Sequence, residues 1–326
     1  MLLGRGKARP PHLPWEAPAI SCGRYPPLAM RGWASRARAR RFAAALVGVA
    51  AAAWPTRGEP PRATLTFLRD GKLVRSLDLD TLRRSCGARR IELDDPYYGR
   101  PMAYLACPLG AVLTQGFGAP LSGDPGETFF LRARDGYARP SNGARLSEDG
   151  GFLAFADAEL TPSEDTGATG TLEPRFAPID RRQLDPGPFY LVWTKPEQRD
   201  PDRYPWPYQL VQIEATSFER QYPHTAPTGL PPEAPAWRGF ATFKNECIAC
   251  HSINTEGGKI GPDLNVPRSI VEYRPREQIK AYVHDPSAFR YTSMPAHPKL
   301  KPAELDELIA YFEAMSSRKH DPHRTP

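Results

Sequence analysis

The run Cys-Ile-Ala-Cys-His constrains this chain more than any other stretch of its 326 residues. Cys247 and Cys250 are three positions apart, and His251 follows directly. A structural zinc site normally takes four protein ligands, and no second Cys-x-x-Cys or His-x-x-x-His pair follows in the sequence. A redox dithiol of the thioredoxin type follows a strand, whereas Phe240, Phe243 and Cys247 have the spacing of one helix face. Both interpretations are therefore disfavoured.

Cys-x-x-Cys-His is instead typical of covalent haem attachment, and the chemistry explains the spacing. Two thiols add across the two vinyl groups of haem, and the adjacent imidazole then lies beneath the iron as an axial ligand. The sequence therefore predicts one haem c, attached at Cys247 and Cys250, with His251 on the iron.

The residues around this motif resemble a class I cytochrome c domain over 235–318. Gly-Pro-Asp-Leu at 261–264 matches the family's loop below the haem, which implies that the Pro262 carbonyl accepts a hydrogen bond from His251. Such a bond fixes the ring and strengthens its donation to iron. The resemblance implies an all-α domain over 237–318.

The sixth iron ligand has several candidates. Ser-Met-Pro-Ala-His-Pro at 293–298 matches the family's loop that supplies a thioether, which implies Met294. His297 in the same loop is the main rival. His284 ends a predicted helix, where the helix dipole favours a histidine without any metal, and Met315 follows the helical spacing of core residues. An iron without a sixth ligand is the remaining alternative.

The final helix is predicted to begin at Pro302, because proline and an early Glu304 are both helix start signals. In cytochromes of this class the last helix crosses the first at a small residue. The resemblance therefore implies a contact between Gly239 and Tyr311.

The first 53 residues have the composition of a leader. A basic run ending at Arg41 precedes an apolar stretch that closes with Ala-x-Ala at Ala53, and these are the three parts of an export signal. The stretch has 13 residues, short of the roughly 20 that a membrane helix needs. We expect translation to start at Met30, an export signal over 30–53, and a periplasmic mature chain without a transmembrane anchor.

The formal net charge of +6 belongs to this leader. Residues 1–53 carry nine of the 43 basic and one of the 37 acidic residues, which leaves a formal charge of −2 on the remainder. The charge pattern therefore gives no reason to expect a nucleic-acid partner.

The segment 61–220 is predicted to be mainly β. Apolar runs of strand length recur there, and Asp70 and Gly71 occupy the centre of a predicted hairpin. A proline-rich stretch at 221–236 predicts a semi-extended linker to the cytochrome domain. The predicted fold class is α+β with two domains, mainly β and then all-α.

Four phrases of the first domain resemble the molybdopterin-binding fold of sulfite oxidase and its relatives, at 100–118, 129–140, 187–193 and 207–214. That family holds its metal through one cysteine thiolate followed by basic residues, and Cys86 with Arg89 and Arg90 has that order. However, Cys86 precedes its predicted strand, and the chain has no dense set of Arg, His and Lys for a large anionic cofactor. Molybdopterin is therefore disfavoured.

Cys86 and Cys107 are the two cysteines left outside the leader and the haem motif. Because an oxidising compartment favours bridged over free thiols, we predict a disulfide between them. Closing a loop of about 20 residues stabilises a domain by roughly 3 kcal/mol in the chain-entropy treatment. Two buried free thiols are the alternative.

These features predict an exported monohaem cytochrome that exchanges electrons with a redox partner protein, with a first domain that serves docking or structure. Haem iron held by histidine and methionine has no open position for substrate, which favours electron transfer over catalysis. The alternative is a molybdopterin-dependent oxidoreductase of the sulfite dehydrogenase kind that passes electrons to its fused cytochrome.

Overall fold

The computed structural model describes residues 63–124, 126–161, 174–180, 183–201 and 203–323. The predicted leader at 1–53 lies outside them. Within the described residues, no helix combines the length and the apolar character needed to cross a membrane. A sheet-rich N-terminal domain precedes a smaller, mainly helical C-terminal domain.

The sheet-rich domain contains two sheets. Its described strands are β1 (Thr64–Arg69), β2 (Lys72–Asp78), β3 (Arg89–Asp95), β4 (Arg100–Pro108), β5 (Thr128–Ala133), β6 (Ala138–Asn142), β7 (Gly151–Asp157), β8 (Tyr190–Trp193) and β9 (Leu210–Ala215). One sheet has the order β2-β1-β9-β5-β6, with β1 and β9 parallel and the other pairs antiparallel. The other is antiparallel, in the order β3-β4-β7-β8. The predicted sheet-rich character is confirmed, while the likeness to sulfite oxidase stays a prediction.

The first hairpin shows how local sequence sets this fold. Asp70 and Gly71 join β1 to β2 with φ of 50 and 77 degrees, the backbone of a two-residue turn whose twist matches its strands. Along β1, Leu65 and Phe67 point inward and are fully buried. The alternating pattern therefore fixes which face of the strand meets the core.

Helices pack on both sheets and share one hydrophobic core with them. They are α1 (Leu79–Ser85), α2 (Leu109–Phe117) and the short α3 (Gly143–Leu146). A further short helix, α4 (Phe218–Gln221), packs Phe218 in a second apolar cluster with Phe130 of β5. Gly116 of α2 lies so close to Phe67 that an added Cβ would be 2.2 Å from the ring. The glycine lets α2 lie directly on β1.

The C-terminal domain is built on three longer helices, α5 (Pro235–Thr242), α6 (Arg276–His284) and α7 (Pro302–Ser316). Helix α5 crosses α7 at Gly239, where an added Cβ would lie 2.0 Å from the Glu307 carbonyl oxygen and 2.9 Å from the Leu308 nitrogen. The predicted crossing of these two helices at a small residue is confirmed, and Tyr311 lies one helical turn beyond Glu307 on α7. Its ring packs against Phe240 of α5, at 5.5 Å between centroids.

The prediction of an all-α cytochrome domain is wrong. Strands β10 (Ser252–Ile253) and β11 (Glu256–Gly257) form a small antiparallel sheet just after His251. Asn254 and Thr255 make the turn with φ of 58 and 68 degrees. Two-residue strands are too short to show a period in the sequence, so pattern reasoning had nothing to detect there.

The two domains pack directly on each other. Phe130 of β5 shares one apolar cluster with Phe240 of α5, and the rings of Phe218 and Tyr222 lie between them. Tyr222 is the second residue of the predicted 221–236 linker and is buried. The linker therefore begins within this contact.

Candidate haem site

The attachment motif follows α5 without a break. The chain continues as a π-helical turn that ends at Cys247. The N–H groups of Cys250 and His251 then both donate to the Cys247 carbonyl, at 3.1 and 2.9 Å. This tight winding brings all three side chains to one cavity.

The cavity has a volume of about 600 Å³. Its wall is mostly apolar and includes Ile260, Leu264, Ile270, Ile279, Phe289 and Pro295. A space of this size and character suits a large, flat, apolar group, because ligand sites are typically apolar clefts with few polar groups that fix orientation.

The imidazole of His251 is held from one side. Its Nδ1–H donates to the Pro262 carbonyl at 2.9 Å, as the resemblance implies. Gly261 lies against the ring, where an added Cβ would be 2.3 Å from Cε1. Burial lowers the pKa of His251, and the bond to Pro262 offsets this only in part. The ring is therefore neutral near pH 7, with the Nε2 lone pair available to a metal.

A polar network anchors the loop that carries Pro262. The Asp263 carboxylate accepts hydrogen bonds from the Ser252 hydroxyl at 2.8 Å and from the N–H groups of Thr255 and Asn265, both at 2.7 Å. The buried Asn265 amide donates to the Asn254 side chain at 2.8 Å. Because these bonds join the strands after His251 to the loop below it, the imidazole is supported on a rigid frame.

The two thiols of the motif do not resemble a reactive dithiol. Burial raises the pKa of Cys247 to about 12 and that of Cys250 to about 11. A reactive cysteine has a lowered pKa and an electropositive setting, and these two have neither. The two buried thiols therefore suit haem attachment better than thiol exchange.

Two of the sixth-ligand candidates line the cavity. Met294 and His297 both border it, and the Nδ1 of His297 lies 3.4 Å from a carboxylate oxygen of Glu246. His284 is exposed at the end of α6, away from the cavity lining, and Met315 is buried in the helical core. The geometry therefore narrows the choice to Met294 and His297.

The cavity also offers cationic groups for the two carboxylates of a haem. Arg274 and Arg290 line it, and within the described chain neither forms an ion pair with a carboxylate. The Nε of Arg290 donates to the Tyr282 hydroxyl at 2.9 Å. Burial alone would raise the pKa of Tyr282, but hydrogen bonds with Thr292 and Arg290 outweigh it and lower the pKa. An apolar cleft with a cationic wall fits haem.

The other cysteine pair lies in the sheet-rich domain. The structure joins Cys86, at the end of α1, to Cys107 of β4 through sulfur atoms 2.06 Å apart. Arg89 lies over the Phe152 ring, with its guanidinium carbon 4.9 Å from the centroid. Arg90 is ion-paired with acidic groups on the sheet surface. These basic side chains thus do not converge on Cys86.

Residues 236–316 match the family model described as Cytochrome c. They form a cytochrome c domain, which implies haem c and electron transfer. The chain is also 26% identical over 116 residues to "Cytochrome c oxidase subunit 2" of Alkalihalophilus pseudofirmus, a match that covers 33% of this chain and 34% of that protein. The aligned part thus spans about a third of that relative's length. The family match begins after the sheet-rich domain, so it says nothing of that domain's kinship.

Sequence reasoning missed the cationic wall of the cavity. Arg274 and Arg290 lie in irregular segments on either side of α6, where no spacing pattern relates them. It also missed the contact of the sheet-rich domain with the attachment motif. Asp-Gly-Tyr at 135–137 is a turn sequence that leads into a second strand. It predicts the hairpin that makes this contact, but not what the hairpin touches.

Proposed function

We propose that this protein carries single electrons on one haem c attached at Cys247 and Cys250, with His251 and Met294 as axial ligands. The observation that supports it most is the hydrogen bond from His251 to Pro262 at the wall of a cavity that both cysteines also line. Haem, when bound, supplies a reversible one-electron couple. The chain contributes an oriented imidazole, an apolar shell that excludes water, and two arginines for the haem carboxylates.

The site suits a carrier better than a catalyst. His251 and Met294 would take both axial positions of a bound haem iron, which would leave no position open for substrate. The sheet-rich domain then serves docking or structure, and the protein exchanges electrons with a redox partner such as a dehydrogenase, an oxidase or another cytochrome. The leader predicted at 1–53 supports export to the periplasm.

The molybdopterin alternative loses its main support. Cys86 would have to supply a thiolate, and its sulfur is bonded to Cys107. Arg90 would have to bind an anionic pterin, and its guanidinium pairs with Glu92 and Glu159 on the protein itself.

Retention of haem by denatured protein tests the proposal. Wild-type protein should keep its haem colour through a denaturing gel and through acid-acetone extraction, because thioether bonds survive both. The double variant Cys247→Ala, Cys250→Ala should lose that colour. A matched control, Cys86→Ala with Cys107→Ala, removes two sulfurs elsewhere and should retain it. Haem that is extracted from the wild type would contradict the proposal.

A further inference from the structure

The hairpin of β5 and β6 reaches from the sheet-rich domain to the haem-attachment segment. The Ala138 N–H donates to the carbonyl of Ala249, which stands between the two cysteines, at 3.0 Å. The Gly136 carbonyl accepts from the Lys259 N–H, also at 3.0 Å. Two backbone hydrogen bonds therefore fix the tip of this hairpin beside the motif.

The turn of the hairpin is built for close approach. Gly136 has a φ of 97 degrees, and an added Cβ would lie 3.1 Å from the Cβ of Lys259. An oxygen of Asp135 accepts the Tyr137 N–H at 3.0 Å and closes the turn. This conformation brings the side chains that flank Gly136 to the edge of the attachment motif.

Arg139, three residues after Gly136 on β6, carries a fixed positive charge. Tyr137 and Arg139 are two positions apart, so strand alternation puts them on the same face of the hairpin. They are hydrogen-bonded to each other, and since guanidinium has no acceptor, Arg139 is the donor. Glu246 at the cavity wall interacts electrostatically with Arg139, and Asp135 on the turn does so with Tyr137. The charges of Arg139 and Asp135 are both felt at Cys250.

We propose that Arg139, held in place by Tyr137, sets the reduction potential of the haem from the sheet-rich domain. The inference rests on the proposed function, because it needs haem attached at Cys250. One electron passes from a partner protein to ferric haem, and no bond forms or breaks. Ferric haem carries one positive charge more than ferrous haem, so a nearby fixed cation disfavours it and raises the potential.

The neighbouring carboxylates reduce this effect but do not cancel the consequence of losing Arg139. Without its guanidinium, the surroundings of the haem become more negative by one charge, and Glu246 and Asp135 are left less compensated. At a separation on the order of 10 Å and an effective dielectric near 20, one unit charge changes an equilibrium constant by roughly tenfold.

The potential of Arg139→Gln tests the proposal. Glutamine keeps a hydrogen-bond donor for Tyr137 and removes the charge. The equilibrium with a reference redox dye should shift about tenfold toward ferric haem, a fall of about 59 mV for one electron. Arg75→Gln is the matched control, because Arg75 is an exposed residue of β2 at the opposite edge of the same sheet. It should leave the potential unchanged.

Two further variants separate charge from structure. Arg139→Lys keeps the charge and should restore most of the wild-type potential. Asp135→Asn removes a negative charge while it can still cap the turn, so the potential should rise, and by less at high salt because Asp135 is exposed.

A wild-type potential in haem-loaded Arg139→Gln, or an equal fall in Arg139→Lys, would overturn the inference. If Arg139→Gln fails to fold, Asp135→Asn decides, and an unchanged potential there overturns it as well. Failure of the proposed function looks different, because the wild-type protein itself would then carry no covalent haem.

Discussion

Gly261→Ala is the sharpest test of how the chain holds its imidazole. An alanine Cβ would lie 2.3 Å from Cε1, 2.5 Å from Nδ1 and 2.8 Å from Nε2 of His251. Carbon atoms pack at about 3.5 Å, so the ring or the loop has to move by about 1 Å. The hydrogen bond from His251 to Pro262 starts at 2.9 Å, and a displacement of this size breaks it.

The cost follows from these two effects. Forcing an extra methyl group into a packed site costs about 1–3 kcal/mol, and losing the hydrogen bond adds about 1 kcal/mol. A total of about 3 kcal/mol corresponds to a fall in the unfolding temperature of roughly 5 °C for a chain of this size. The haem spectrum should change as well, because the imidazole that we propose as the iron ligand is the group displaced.

The assay is thermal unfolding of the haem-loaded protein, followed by circular dichroism and by the Soret absorption. Gly110→Ala is the matched control, since an added Cβ at Gly110 in α2 meets nothing within 4 Å. It should leave the unfolding temperature unchanged or raise it, because alanine favours a helix by up to about 1 kcal/mol over glycine. If Gly261→Ala unfolds at the temperature of this control with an unchanged spectrum, the imidazole is not held as the structure indicates.

Three other predictions concern separate parts of the molecule. Met294→Ala should abolish the weak ferric absorption expected at roughly 700 nm for iron bound to methionine sulfur, lower the reduction potential and speed azide binding. His297→Ala should change these properties little. The reverse outcome would reassign the sixth ligand to His297. Metal analysis should find about one iron per chain and no stoichiometric molybdenum, and native, unreduced protein should show no alkylatable thiol on Cys86 or Cys107. Burial raises the pKa of Asp95, against hydrogen bonds that lower it, so the folded state binds this proton more tightly than the unfolded chain does. Its contribution to stability is full below the unfolded pKa of about 3.9 and is lost as pH rises through the folded pKa. The unfolding temperature of the wild type minus that of Asp95→Asn should therefore decrease with rising pH across this window, and an increasing difference would contradict the assigned shift.

The features that sequence predicted correctly depend on neighbours along the chain. Asp70 and Gly71 specify their turn through their own backbone preferences, and the strands beside them follow from alternation. The His251–Pro262 bond was implied by a motif whose two halves lie 11 residues apart. Where the relevant residues are close in sequence, local patterns carry enough information.

The features that sequence missed depend on approach in space. Gly239 lies nearest to the Glu307 carbonyl, and the sequence does not give this contact because the axial offset of two crossing helices is set by all their packed side chains. Arg274 and Arg290 face one cavity from segments on either side of α6. The bond between Ala138 and Ala249 joins two domains. No residue spacing in the sequence encodes such distances.

The attachment segment is supported from both sides, and this bears on electron transfer. On one side α5 lies against α7 with no side chain between their backbones at Gly239. On the other side the β5–β6 hairpin bonds to the backbone of Ala249 and Lys259. Lys244 adds to the contact between the domains, with its ammonium 4.9 and 5.0 Å from the rings of Phe218 and Phe240.

A carrier exchanges electrons fastest when its site moves little between oxidation states. Because the sheet-rich domain contributes part of this support, the first domain has a physical reason to be fused to the second, and under the proposed function the two domains act as one electron-transfer unit.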